Sequence, residues 1–187
     1  RYFALTILFV IAALPIYVMV INSVKGITGV SQSAAFIPPT SLNFEAWGPT
    51  WEVLREPMLR TLFFVTQSSI ISAVIGAING FVFAKWKFRG SNLIFTTFLF
   101  GMFIPYQAIM IPLVRIATTL EINKSIYVLV LAHVIYGIPI CTLIFRNYYE
   151  AIPNELIEAG RVDKASMVRI YRSIILPLSV PAFVVVL

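Results

Sequence analysis

Residues 146–181 read RNYYEAIPNELIEAGRVDKASMVRIYRSIILPLSVP. This is the longest polar, charged run in a chain that is otherwise apolar, and its own end turns apolar again. Pro153 suits the first turn of a helix, where its missing N–H has no partner to lose. Glu155 and Glu158 follow, near the positive end of that helix's dipole. Leu156, Ile157 and Val162 form an apolar side. Asp163 is the expected N-cap of a second helix, with Ser166 three residues on. That second helix carries Arg169 and Arg172 and runs on through Ile174, Ile175, Leu176 and Pro177. A polar helix–turn–helix held between apolar segments can be gripped by something outside the membrane. It can equally be a solvated connecting loop, and the pattern alone does not choose.

Composition sets the class. The hydrophobic fraction is 59% and charged residues make up 12%, against about a quarter charged in soluble domains. Mean hydropathy is +0.91. The fold class expected is an all-α polytopic membrane protein. The formal charge of +6 reflects loop Lys and Arg, which set topology, and implies no nucleic acid. Cys141 stands alone in an apolar run, so no disulfide framework or metal cluster is expected, and it reads as a small buried residue. No cofactor is expected. Without an initiator Met at Arg1, and with Leu187 in mid-span, both ends look cut.

Outward from that stretch, five spans are expected at 2–21, 62–84, 93–114, 125–145 and 174–187, with about six in a complete chain. A helix of about 20 apolar residues crosses a hydrocarbon core of about 30 Å. Pro15 should kink the first span. Residues 22–57 read as a loop, with Gly26, Gly29, Gly48, Pro38, Pro39 and Pro49, interfacial Trp47 and Trp51, and a short surface helix over 43–54. In the second span Ser68, Ser72, Gly76 and Gly80 recur every four residues, a small-residue face for close helix packing. Lys85, Lys87 and Arg89 mark a basic hairpin. The third span is interrupted by Gly101, Pro105 and Pro112, either to line a path or as a packing kink. His133 reads as a neutral, hydrogen-bonded side chain, no acidic partner being available in a span. With Arg1 inside, nine basic residues face inward against five outward, which places 146–181 in the cytoplasm.

The run ELIEAGRVDKAS at 155–166, followed by Ile174-Ile175-Leu176-Pro177-Leu178 and Pro181, resembles the EAA motif of inner-membrane permease subunits of binding-protein-dependent ABC importers. More narrowly, the chain resembles carbohydrate importer permeases of the maltose-transporter MalG type. FAKWKFRG at 83–90, Ile104-Pro105, Ile111-Pro112-Leu113 and Ile152-Pro153-Asn154 support this in the family's order. The resemblance covers roughly residues 59–181, about two thirds of the chain. It implies a type I ABC importer permease fold in one transmembrane domain over 1–187, with 153–166 as the cytoplasmic coupling helix.

By the same resemblance, Glu158, Ala159 and Gly160 stand at E-A-A, and Lys164 stands at the motif's glycine. Gly160 in place of Ala lowers helix propensity by up to about 1 kcal/mol. Lys164 in place of Gly denies the turn a residue free to adopt positive φ. Glu155, Glu158, Ala159, Gly160, Asp163 and Lys164 are then the ATPase-coupling residues. The implied partners are an ABC ATPase subunit acting as a dimer, a second permease subunit and a solute-binding protein, all at the lipid bilayer of a bacterial or archaeal plasma membrane. The implied function is ATP-driven import of a sugar or sugar-like solute. The chain holds no G-x-x-x-x-G-K-[ST] loop and no paired catalytic groups in its spans, so no enzymatic residue is assigned. Asn79, Tyr106, Gln107 and Tyr136 are candidates for the solute path. The alternative, an ion-coupled secondary transporter, normally keeps an acidic residue inside the membrane, and none falls in these spans.

Overall fold

The computed structural model describes residues 2–26, 35–86 and 88–187. Arg1 and Lys87, counted among the inner basic residues, and Gly29 of the first loop lie outside the described residues. The fold is all-α among those described. The elements are α1 (Tyr2–Ser23), α2 (Trp47–Lys85), α3 (Ser91–Phe100) with a 3₁₀ turn (Gly101–Phe103), α4 (Tyr106–Thr119) and α5 (Ile126–Glu150). They continue as α6 (Glu155–Val162), α7 (Met167–Ile170), a π turn (Tyr171–Ile175), α8 (Leu176–Leu178) and α9 (Val180–Val186). Three helices, α1, α2 and α5, are long and apolar enough to cross a membrane, or up to five spans form if two bent pairs are each counted as one.

The chain divides into two units, Arg1–Arg60 and Thr61–Leu187. In the first, α1 is apolar all round, with Pro15 inside it. After α1, the Asn22 amide donates to Val18 O and Ala35 O, and the Trp47 indole donates to Ser23 O at 2.8 Å. The short surface helix expected over 43–54 is replaced by the first turns of α2, which carry on through Pro57. The reason is amphipathic spacing: Trp47, Trp51, Leu54 and Met58 share one face, and Arg55–Glu52 and Arg60–Glu56 pair on the other.

In the second unit α2 and α5 run parallel, in one register. Ser68 Oγ approaches Val130 O, Ser72 Oγ approaches Val134 O, Gly76 meets Cys141 and Gly80 meets Phe145. A Cβ on Gly76 would lie 2.4 Å from Cys141 Cβ, and one on Gly80 would lie 2.7 Å from Phe145 Cβ. The four-residue repeat of small side chains is therefore the seam itself, as its spacing indicates. Cys141 is buried, as expected.

Both bent pairs follow from proline. Residues before proline favour extended backbone, and Ile104 takes φ −72°, ψ 119° ahead of Pro105. The passage expected as one interrupted span over 93–114 turns by 92° there. The pair Met167–Leu178 and Val180–Val186 bends by 68°; the break falls at Ser179, between Pro177 and Pro181, and the π turn ends two residues before Pro177. Carbonyls freed at such breaks need donors. Tyrosines of α5 supply them: Tyr136 Oη donates to Ile104 O at 3.4 Å, and Tyr148 Oη donates to Leu178 O at 2.6 Å. Between the prolines Ser179 is fully buried, its Oγ 2.6 Å from Ile175 O and 3.0 Å from Tyr149 Oη.

Candidate functional site

The polar stretch opens inside α5, because that helix runs to Glu150 and holds Arg146 in an ion pair with Glu150 at 2.7 Å. The Arg146 guanidinium also lies 4.3 Å from the ring centroid of Phe95 on α3. Pro153 precedes α6 rather than entering it, and Asn154 takes the capping position. Lys85, the last residue of α2, donates from Nζ to Ile152 O at 2.6 Å and to Asn154 Oδ1 at 2.8 Å. The end of α2 is thereby tied to the turn that launches α6. Lys85 and Asn154 are contributors that the charge count could not reveal, since it registers Lys85 only as a positive charge.

One side of α6 is pinned. Ile157 and Gly160 are buried, and a Cβ on Gly160 would come 2.9 Å from Ile170 Cγ1 and 3.2 Å from its Cδ1. This explains the glycine where the motif has alanine: Ile170 occupies the space a methyl would need. Ile157, Ile170 and Ile175 belong to one core with Phe81, Phe145, Tyr149 and Ala182, and Ile174 packs against it. That core reaches from α2 to α9.

The other side of α6 is open. Glu155, Glu158, Ala159, Asp163 and Lys164 are all exposed, and Val162 is 81% exposed. Asp163 does not cap the second helix. It is the C-cap of α6, and Ser166 caps α7 by accepting from Arg169 N at 3.3 Å. The physical reason is the turn between them. Ala165 N donates to Gly160 O and Lys164 N donates to Arg161 O, both at 2.9 Å, with Lys164 at φ 56°. This is a Schellman stop, in which the residue after the cap is left-handed. The turn therefore makes the conformation that glycine favours, with a lysine.

The four path candidates divide. Tyr106 and Tyr136 come together edge to face, their ring centroids 5.1 Å apart. Gln107 is the next residue of α4 and is exposed. Asn79 sits apart. Ser72 of α2 meets Gly137, next to Tyr136, and seven residues of helix put Asn79 about 10 Å further along. His133 joins the tyrosines, 6.3 Å from Tyr106 and 5.2 Å from Phe64, and its Nδ1 lies 2.8 Å from Leu129 O. The expected hydrogen-bonded histidine is found, in an aromatic group that linear spacing does not reveal. Among the described residues no cluster of His, Cys, Asp and Glu is placed to hold a metal ion.

Comparison with known proteins agrees with the resemblance read from the motifs. The family described as binding-protein-dependent transport system inner membrane component matches residues 80–187. The chain is 32% identical to the xylose/arabinose import permease protein XacI of Haloferax volcanii, over 92% of this chain and 62% of that protein. It is 31% identical to the glucose import system permease protein GlcU of Saccharolobus solfataricus, over 98% of this chain and 67% of that one. The chain thus spans roughly three fifths to two thirds of the length of these relatives. In fold it matches a chain from the crystal structure of a bacterial ABC transporter involved in the import of the acidic polysaccharide alginate. There the TM-score is 0.84 at 22% identity, covering 99% of this chain and 65% of the other. The family match over its second half, and the relatives along nearly its whole length, establish that this chain is a member of the binding-protein-dependent transport system inner membrane components, a multi-pass permease family of ABC transporters.

Proposed function

We propose that the chain is a permease subunit of an ATP-driven importer for a sugar or sugar-like solute, in a bacterial or archaeal plasma membrane. It lines part of the solute path together with a second permease, receives solute from a binding protein, and takes its driving force from a separate ATPase dimer. The names of its relatives, import permeases for xylose/arabinose and for glucose, support the solute class. The single observation that carries the coupling reading is the two-sided state of α6. Ile157 and Gly160 lock it to Ile170, while Val162 stays 81% exposed on the other side.

An exposed apolar side chain ringed by Glu155, Glu158 and Asp163 is a surface that a protein partner can bury. A push on it passes through Ile170 and Ile174 to the π turn and the bent terminal pair. ATP binding in the partner then shifts the permease between inward- and outward-facing states, through contacts that differ between the two. Lys164 belongs to the same face. Tyr106 and Tyr136 offer ring faces to the solute, and Gln107 and Asn79 offer amides to its hydroxyls at two depths.

Site-directed cross-linking in the assembled transporter tests this reading. Glu158→Cys and Asp163→Cys are expected to cross-link to the ATPase, with a yield that changes between nucleotide-free and ATP-bound states. Cys141 is buried and does not compete. A functional transporter in which no position along 153–166 gives such a product would sink the coupling reading.

A further inference from the structure

His133 is the chain's one histidine, and the transport reading above does not use it. Its environment defines its chemistry. The partner of Nδ1 is a backbone carbonyl, 2.8 Å away, and a carbonyl only accepts, so Nδ1 carries a proton and the Nδ1–H tautomer presents Nε2 as an acceptor. The ring is flanked by Phe64 of α2 at 5.2 Å and Tyr106 of α4 at 6.3 Å, and Tyr106 leads on to Tyr136. Both His133 and Tyr106 are exposed. The Tyr136 hydroxyl is committed to Ile104 O at the 92° bend, which leaves its ring as the available surface.

We propose that the arc of Phe64, His133, Tyr106 and Tyr136 is a binding subsite for a neutral sugar, in which His133 Nε2 accepts a hydrogen bond from a sugar hydroxyl. It rests on the transport reading. The reasoning is one of complementarity. An acceptor nitrogen facing hydrocarbon would remain unsatisfied, whereas a wet path offers it donors. Aromatic faces suit the C–H faces of a pyranose or furanose ring, and a lone acceptor suits a hydroxyl donor. Phe64, Tyr106 and Tyr136 carry no formal charge, which matches an uncharged solute. A site that hydrogen-bonds a substrate hydroxyl also discriminates against analogues lacking it.

The experiment uses the complete transporter, with both permeases and the ATPase, in proteoliposomes with its binding protein. ATP-dependent uptake of radiolabelled D-glucose, D-xylose and L-arabinose is measured for wild type, His133→Leu and His133→Gln, alongside ATP hydrolysis and assembly by gel filtration. For whichever sugar the wild type carries, His133→Leu is expected to reduce uptake about tenfold, the value of one lost hydrogen bond. ATP hydrolysis and assembly should be unchanged. His133→Gln, whose amide oxygen reaches the place of Nε2, should stay within about threefold of wild type, a residual loss well below that of a full hydrogen bond. Wild-type uptake in His133→Leu, or equal losses in both variants, overturns the subsite and leaves the transport reading standing. The panel is extended to every mono- and oligosaccharide that the binding protein retains, and a wild type that carries none of them with ATP overturns both. Should His133→Leu not assemble, Tyr106→Leu against Tyr106→Phe decides: loss in the first alone supports the subsite, and equal uptake in both overturns it.

Discussion

Lys164 holds φ at 56° to close the turn after α6. For a residue with a Cβ the left-handed region costs roughly 1–2 kcal/mol, and glycine removes that cost while adding backbone freedom to the unfolded chain. Lys164→Gly is therefore expected to stabilise the purified protein by about 0.5–1 kcal/mol, read as a raised midpoint of thermal unfolding in detergent. A lowered midpoint would show that the lysine side chain contributes more than its backbone costs. Glu121 makes the same kind of stop after α4, at φ 57°, with Ile122 N donating to Ala117 O and Glu121 N to Thr118 O. Two left-handed non-glycine residues close two Schellman turns. Neither was legible from residue type, because the hydrogen bonds that hold such a turn are backbone bonds.

At the scale of elements, the small-residue face of α2 was readable in advance. Small residues four apart share a helix face whatever else the chain does. What they face was not readable, since the partner helix begins far along the chain and must be brought alongside by folding. Overpacking such a seam is destabilising, by roughly 1–3 kcal/mol and occasionally more. Gly80→Ala, whose methyl would sit 2.7 Å from Phe145 Cβ and 2.8 Å from Arg146 N, should destabilise the protein by that amount, read as a lowered unfolding midpoint. Gly101→Ala, with open space around the added carbon and φ −57°, should leave its stability within about 0.5 kcal/mol. Equal effects of the two would mean that the seam is not close-packed. The bends at Pro105 and at Ser179, between Pro177 and Pro181, show a similar division. Proline announces a break, while the donors that satisfy it, Tyr136 and Tyr148, come from a different helix.

For the whole molecule, the absence of Asp or Glu from the expected spans argues against a coupling ion, and α6 offers a mechanical input instead. Uptake by the assembled transporter is expected to require ATP and to persist when a protonophore collapses the proton gradient. Uptake abolished by the protonophore while ATP remains present would favour the ion-coupled alternative. The proposed coupling face on Glu155–Val162 could be located in the sequence because its residues are contiguous. The residues of the proposed solute path are not contiguous. Tyr106 and Tyr136 were named from proline-broken helices and do meet, whereas Asn79 lies at another depth, and Phe64 and His133 enter the arc through contacts between α2, α4 and α5.

The sequence by itself determined the class, the family, the small-residue face of α2 and the place of the polar stretch proposed to couple. These depend on composition, on the helical repeat and on contiguous motifs, all of which are local. Only the tertiary structure decided that α2 extends back to Trp47, that two passages bend, and that Gly160 is small because Ile170 fills the space beside it. It also decided that His133 stands among aromatic rings from two other helices. Each of these depends on atoms distant in sequence meeting in space, and no local periodicity encodes such a meeting.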